Sequence, residues 1–360
     1  MSKWLGILLI FIPVALFLDF THGNGTLVFA ASALSIVPLA GLMSRATEQL
    51  AHRLGSTVGG LLNATFGNAT ELIIAFLALS AGKIEVVKAS IVGSILGNLL
   101  LVLGVSLLLG GFKFKEQRFS VKIAGTIASL LTISVLALLI PTIFGVTARS
   151  VDPAQVIGLD RQLSDAAAVA LILLYVGYLI FTLRTHSDRL ASVDEGAEDA
   201  GGHGPQWSLP LAAGALLVAT VAVGFMSELL VGSIDAATSS LGLSEFFVGL
   251  IVLPIIGNAA EMAAAVTFAL KNRMELTISI ALGASVQIAL LVAPLLVLAG
   301  LLLGKPLDLV VTPLELVAVS GAVLVVNSVV RDGETNWLEG LMLLAVYVIL
   351  AFAVFFFPVK

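Results

Sequence analysis

Two near-identical pentapeptides, Gly67-Asn68-Ala69-Thr70-Glu71 and Gly257-Asn258-Ala259-Ala260-Glu261, each lie inside an apolar stretch long enough to cross a bilayer. Few features constrain a fold more. An ionisable group at membrane depth is costly and by default marks a functional site. Two such groups in matching contexts point to a duplicated chain with a symmetric ion site.

Composition supports a membrane setting. Hydrophobic residues make up 59% of the 360 and charged residues 11%, against about 25% charged in soluble domains. The apolar runs are long and continuous, not short and alternating, which excludes a transmembrane barrel. Cysteine is absent, so thiolate metal sites, disulfides and cysteine nucleophiles are excluded. There is no basic tail or aromatic-basic patch to support nucleic-acid binding. Met1-Ser2-Lys3 followed by an apolar run resembles a signal peptide, yet no small-residue cleavage site precedes Asp19; it reads as a retained first helix.

A span needs about 20 mostly apolar residues. Eleven are expected, at roughly 4–20, 26–49, 56–81, 84–110, 119–144, 163–185, 208–232, 244–270, 274–303, 312–330 and 336–358. The stretch 208–238 reads either as one tilted helix or as a helix plus a surface turn. Twelve Lys and Arg residues fall on one side of this arrangement and six on the other, which places the N-terminus in the cytoplasm. The fold class expected is therefore an all-α integral membrane protein. Residues 1–25 form an extra helix, 26–186 a first five-helix repeat, 187–207 an acidic cytoplasmic linker and 208–360 a second five-helix repeat. The linker is a solvated connector or a cation-attracting regulatory segment.

Residues 67–110 align with 257–300 without a gap and match Ala75 with Ala265, Glu85 with Glu275, Gly93 with Gly283 and Gly110 with Gly300. The motifs fall in the third and eighth spans. An odd separation makes the two copies enter the membrane in opposite directions, the inverted-repeat architecture of secondary transporters, with the site at the midplane.

Within each motif the Asn and Glu are three apart, on one helix face. Glu71, Glu261, Asn68 and Asn258 together offer two carboxylates and two amide oxygens. Hard cations such as Ca2+ take 6–8 oxygen ligands, and no His or Cys joins the set as zinc or copper would prefer. Gly67 and Gly257 allow close helix approach. The bland alternative is polar glue between helices. Glu48 and Glu228 occupy comparable repeat positions and are candidates for a proton-coupling pathway, although Arg45 and Arg53 offer Glu48 a simple ion pair. Asp235, seven residues after Glu228, shares its face if the helix continues. Asn98, Ser285 and Gln287 are buried polar candidates for the pathway lining. Glu85 and Glu275 read as first-turn acids that complement the helix dipole. Glycosylation-like triplets at Asn24, Asn63 and Asn68, the Gly55/Gly59 and Gly93/Gly97 spacings and the four histidines read as structural.

A carboxylate removed from water is costly unless a proton or a cation neutralises it. Two protons and one divalent cation then compete for the same oxygens. If the loaded site faces one side at a time, that competition becomes exchange.

These residues resemble the cation/proton exchanger family of the cation/Ca2+ exchanger superfamily. The resemblance rests on Gly67-Asn68-Ala69-Thr70-Glu71, Gly257-Asn258-Ala259-Ala260-Glu261, the five-plus-five arrangement, the extra first helix and the acidic linker, and covers nearly the whole chain. It implies a Ca2+/proton antiporter, acting on Ca2+ or another divalent cation and working by alternating access, in which Glu71 and Glu261 are the central cation and proton ligands. Asn68 and Asn258 would assist, Glu48 and Glu228 would line the approach, and Gln287 and Asn98 would sit near the site. Met262 stands where many members carry His, so no histidine relay carries over. The resemblance implies a prokaryotic plasma-membrane protein with the bilayer, Ca2+ and protons as its partners, compatible with a homo-oligomer and requiring no cofactor. The nearest rival is a Na+-coupled Ca2+ exchanger of the same architecture. A cation channel is a further class, and an intramembrane enzyme finds no His-Glu-x-x-His or Gly-x-Ser-x-Gly motif to support it.

Overall fold

Helices dominate because lipid offers the backbone no hydrogen-bond partners, so each segment must satisfy its own. The structure, a computed structural model, describes residues 6–149, 153–185 and 207–358. The acidic linker lies outside the described residues except for Trp207.

The chain runs through α1 (Phe11–Phe20), α2 (Gly25–Phe66), α3 (Ala69–Ser80), α4 (Ile84–Leu96), α5 (Leu103–Phe114), α6 (Val121–Arg149) and α7 (Pro153–Ile180). After the linker come α8 (Leu209–Gly232), α9 (Ile234–Leu241), α10 (Leu253–Gly257), α11 (Ala259–Ala269), α12 (Met274–Gln287), α13 (Ala293–Leu302), α14 (Pro313–Val329) and α15 (Trp337–Phe355). Two short strands, β1 (Glu116–Arg118) and β2 (Glu334–Asn336), pair antiparallel with Gln117 opposite Thr335.

Among the described residues, seven uninterrupted helical stretches are long and apolar enough to cross a membrane, and two bent pairs raise the number to nine. This is a multi-pass membrane protein. Several of the expected continuous spans are broken. The run 56–81 is broken between Val58–Phe66 and Ala69–Ser80 with a 42° bend. The run 244–270 is broken at Asn258, between α10 and α11. Gly55 interrupts α2 with φ of 82°, a left-handed value that glycine adopts without steric cost. Helix α8 stops at Gly232, and a 115° bend separates α9 from the segment Glu245–Gly257. Asp235 thus lies in the first turn of α9, past the single-residue break at Ser233 that separates it from the helix of Glu228.

The two motif regions share local features. π-helical segments follow α4 (Gly97–Val102) and α12 (Ile288–Val292), and in each half a broken helix carrying the motif comes just before. A further π-helical segment, Val248–Val252, leads into α10. Such single-turn insertions are frequent at functional sites.

Two compact units form, each drawing on both halves of the chain. One comprises the described parts of Met1–Ser90, His203–Ala260 and Ala351–Lys360; the other comprises those of Ile91–Gly202 and Glu261–Leu350. In the first, α2 packs along α8, and α10 rests on α2 and α3. In the second, α6 packs on α7, α12 and α14, α13 packs on α7, and the π segment Gly97–Val102 faces α12.

Candidate cation site

Both motifs sit at helix breaks, not in the middle of continuous helices. Asn68 has φ of −112° and ψ of 25° and occupies the N-cap of α3, which places Glu71 in its first turn; Glu261 holds the same place in α11. The first turn of a helix exposes unpaired N–H groups and the positive end of the macrodipole, which favour negative charge. A break in a membrane helix can also release backbone carbonyls for coordination. Discontinuous helices of this kind build ion sites in secondary transporters.

Within the first unit, Asn68 and Asn258 are each 2% exposed and Glu71 7%. Helix α3, which begins with the first motif, packs on α10, which ends in the second. The contact is close. A Cβ on Gly257 would lie 3.0 Å from Glu71 Cγ and 3.7 Å from its Oε1, so glycine is what lets the second motif lie against the first motif's carboxylate. Both carboxylate oxygens of Glu71 are buried and without a hydrogen-bond partner. Burying such a group without partners costs several kcal/mol in general, and the site carries that cost at the centre of its motif. Asn68 makes no side-chain bond to cap α3. Glu261, half-buried, falls one residue into the second unit.

Asn98 and Ser285 are fully buried in the second unit, on the π segment after α4 and on α12, which pack together. Ser285 donates to the Ala281 carbonyl at 3.0 Å, while neither amide atom of Asn98 has a partner. Gln287 is half-buried at the end of α12. Glu48 and Glu228 are exposed on α2 and α8, two helices packed side by side. Glu48 does not pair with its basic neighbours. Arg53 instead donates to the Trp207 carbonyl at 2.6 Å, Arg45 stacks 5.5 Å from the Trp207 ring centroid, and the Trp207 N–H donates to Gln49 at 2.9 Å.

Asp235 belongs to a different cluster. Lys83, in the turn between α3 and α4, bonds both Asp235 and Glu245, the latter at 2.7 Å. Burial opposes charge on Lys83, but its bonds to the two carboxylates outweigh that and raise its pKa above the ordinary lysine value. Sequence reasoning missed this trio, the Trp207 clamp and the buried hydroxyls of Ser32 and Ser227, whose Oγ atoms lack partners. A lone Ser in an apolar helix is a weak signal, because it normally bonds its own preceding turn.

The family described as "Sodium/calcium exchanger protein" matches residues 24–184 and 211–356. The chain belongs to the sodium/calcium exchanger family. Relatives of similar length reinforce the assignment. A protein of Aphanothece halophytica named "Ca(2+)/H(+) antiporter" is 47% identical over 362 residues, covering 98% of this chain and 96% of its own. "Ca(2+)/H(+) antiporter ChaA" of Bacillus subtilis is 40% identical, covering 96% of both. Among solved structures, "Structure of native YfkE" superposes with a TM-score of 0.83 at 37% identity, over 98% of this chain and 100% of that one. The fold of this exchanger-family chain also resembles "Crystal Structure of H+/Ca2+ Exchanger CAX", with a TM-score of 0.66 at 14% identity over 98% of this chain and 91% of that one.

Proposed function

We propose that the chain is a secondary antiporter that exchanges Ca2+ for protons by alternating access, with Glu71 and Glu261 as shared cation and proton ligands near the membrane midplane. The observation that carries this reading is Glu71: a buried carboxylate whose oxygens both lack partners, set at a helix N-terminus and against the glycine of the second motif. Such a group needs a cation or a proton to be stable. The names of the full-length relatives supply the exchanged pair, Ca2+ and H+.

Asn68 and Asn258 add amide oxygens to the two carboxylates, and water or freed backbone carbonyls complete the 6–8 oxygens that Ca2+ requires. Two protons or one divalent cation neutralise the same pair of carboxylates. A cytoplasmic site that loads Ca2+ and an outward one that loads protons therefore run a proton gradient into Ca2+ extrusion. Glu48 and Glu228, exposed on adjoining helices, and Asn98, Ser285 and Gln287 line the proton pathway. The chain is not an enzyme, its N-terminus is cytoplasmic, and it works in a prokaryotic plasma membrane.

Purified protein in liposomes with an imposed pH difference tests this. Calcium-45 accumulation against its gradient, with reciprocal proton movement and no need for Na+, is expected. Uptake only under a Na+ gradient would place the chain with Na+-coupled exchangers. Flux that merely dissipates the Ca2+ gradient would make it a channel.

A further inference from the structure

Four apolar spans end at one place in the second unit. The span Ile84–Phe114 finishes there, and Val121–Ala148, Met274–Leu302 and Trp337–Phe355 begin there. Between those ends lies a recess of about 520 Å³ lined by Phe114, Lys115, Glu116, Arg118 and Asn272. Its walls are pinned. Buried Gln117 donates from Nε2 to the Ala269 carbonyl at 2.8 Å and to Asn272 Oδ1 at 3.0 Å, tying β1 to the α11–α12 turn. Lys113 donates to the Leu270 carbonyl at 2.8 Å, and the Ser120 N–H donates to Glu275 at 3.1 Å. The β1–β2 ladder continues into a bond from the Phe119 N–H to the Gly333 carbonyl.

Cations dominate this end. Lys113, Lys115, Arg118, Lys122, Lys271, Arg273 and Arg331 stand against Glu116, Glu275, Asp332 and Glu334. Two of the acids are already engaged, Glu275 with the Ser120 N–H and Glu334 with Arg118 at 2.9 Å. The Arg118–Glu334 pair is largely exposed, so it is weak, and guanidinium has further donors to offer. Lys115 has no ion-pair partner among the described residues. Next to the recess, exposed Phe112 stacks on exposed Trp337 at 5.8 Å. Aromatic side chains at span ends mark the headgroup level of a bilayer.

We propose that this recess binds the phosphate of an anionic phospholipid headgroup, with Lys115 and Arg118 as its charged ligands and Asn272 as a polar wall. The ligand is a lipid and not a free anion because the recess sits where four spans meet the interface beside an exposed aromatic pair. Basic pockets between spans are established takers of acidic headgroups. Nothing in the exchange reaction requires this site.

The test uses the full-length protein extracted from vesicles of phosphatidylcholine mixed with phosphatidylglycerol, with retained lipids counted by native mass spectrometry. Wild type is expected to retain phosphatidylglycerol selectively. Lys115→Gln and Arg118→Gln are each expected to lower that retention about fivefold, equivalent to about 1 kcal/mol per basic group at a charged surface. Lys122→Gln, which changes a charge at the same end outside the lining, is expected to leave it unchanged. Equal loss in Lys122→Gln would overturn the recess as the site, as would equal retention of phosphatidylcholine. Displacement of the lipid by inorganic phosphate would assign the site to a free anion instead. Lys115→Gln leaves the Arg118–Glu334 pair intact, so it carries the test even if Arg118→Gln does not fold.

Discussion

Gly257→Ala is the most discriminating perturbation of the proposed site. The added methyl would stand 3.0 Å from Glu71 Cγ, where ordinary contact begins at 3.4 Å, so the glutamate must retreat by a few tenths of an ångström. Two effects oppose each other in the fold. Alanine gains up to about 1 kcal/mol of helix propensity over glycine, and less than that here because Gly257 is the last residue of α10. Overpacking costs about 1–3 kcal/mol. Stability is therefore expected to fall by up to about 3 kcal/mol, the loss being smallest if Glu71 can move aside. The site is less forgiving, since metal–ligand distances tolerate only about 0.2 Å of error. A carboxylate displaced by more than that is expected to raise the KM for Ca2+ about tenfold, the equivalent of about 1.4 kcal/mol. Calcium-45 uptake into proteoliposomes under a fixed pH difference measures KM, and a thermal melt of the same sample measures folding. A wild-type KM with an unchanged melt would refute the reasoning that Gly257 sets the position of Glu71 at a cation site. A large loss of stability with normal KM would refute it as well, by making the contact purely structural.

Other outcomes follow from the same geometry. Glu71→Gln or Glu261→Gln is expected to abolish coupled Ca2+ and proton movement while the protein still folds; wild-type exchange in both single variants would remove the site assignment. Asn98→Leu replaces a fully buried amide that has no hydrogen-bond partner, so it is expected to stabilise the fold by about 1 kcal/mol while slowing transport; destabilisation with normal transport would make Asn98 a packing residue only. Lys83→Met removes the bonds to Asp235 and Glu245 and is expected to lower the melting temperature at neutral pH. Because the folded-state pKa of Lys83 lies above its ordinary 10.5, that contribution is complete below 10.5 and disappears as pH rises through the folded value. The two melting curves should therefore converge at high alkaline pH, and a gap that persists there would show that Lys83 acts through packing.

Much of this protein was legible without coordinates. Long apolar runs dictate membrane helices, because any other backbone would leave N–H and C=O groups unsatisfied in lipid. The paired Gly-Asn-Ala-x-Glu motifs single out Glu71 and Glu261, because a carboxylate in an apolar stretch is costly, and both occupy helix first turns. Glu85 and Glu275 do occupy first turns, since dipole and capping preferences are local. Asn24, one of the glycosylation-like positions, proves to be an N-cap that accepts the Thr26 N–H at 2.9 Å, an equally local event.

Only tertiary structure decided the rest. Hydropathy sums side chains over a window and is blind to φ and ψ, so 56–81 and 244–270 read as continuous spans although each breaks beside its motif asparagine. A helix propagates by local bonds, but where it may break depends on neighbours able to cover the freed groups. The turn at Ser233 that takes Asp235 to Lys83, the diversion of Arg45 and Arg53 to Trp207, and the approach of Gly257 to Glu71 all join residues far apart in sequence. One chain states which charges it keeps in the membrane; which groups meet them is fixed only when the helices pack.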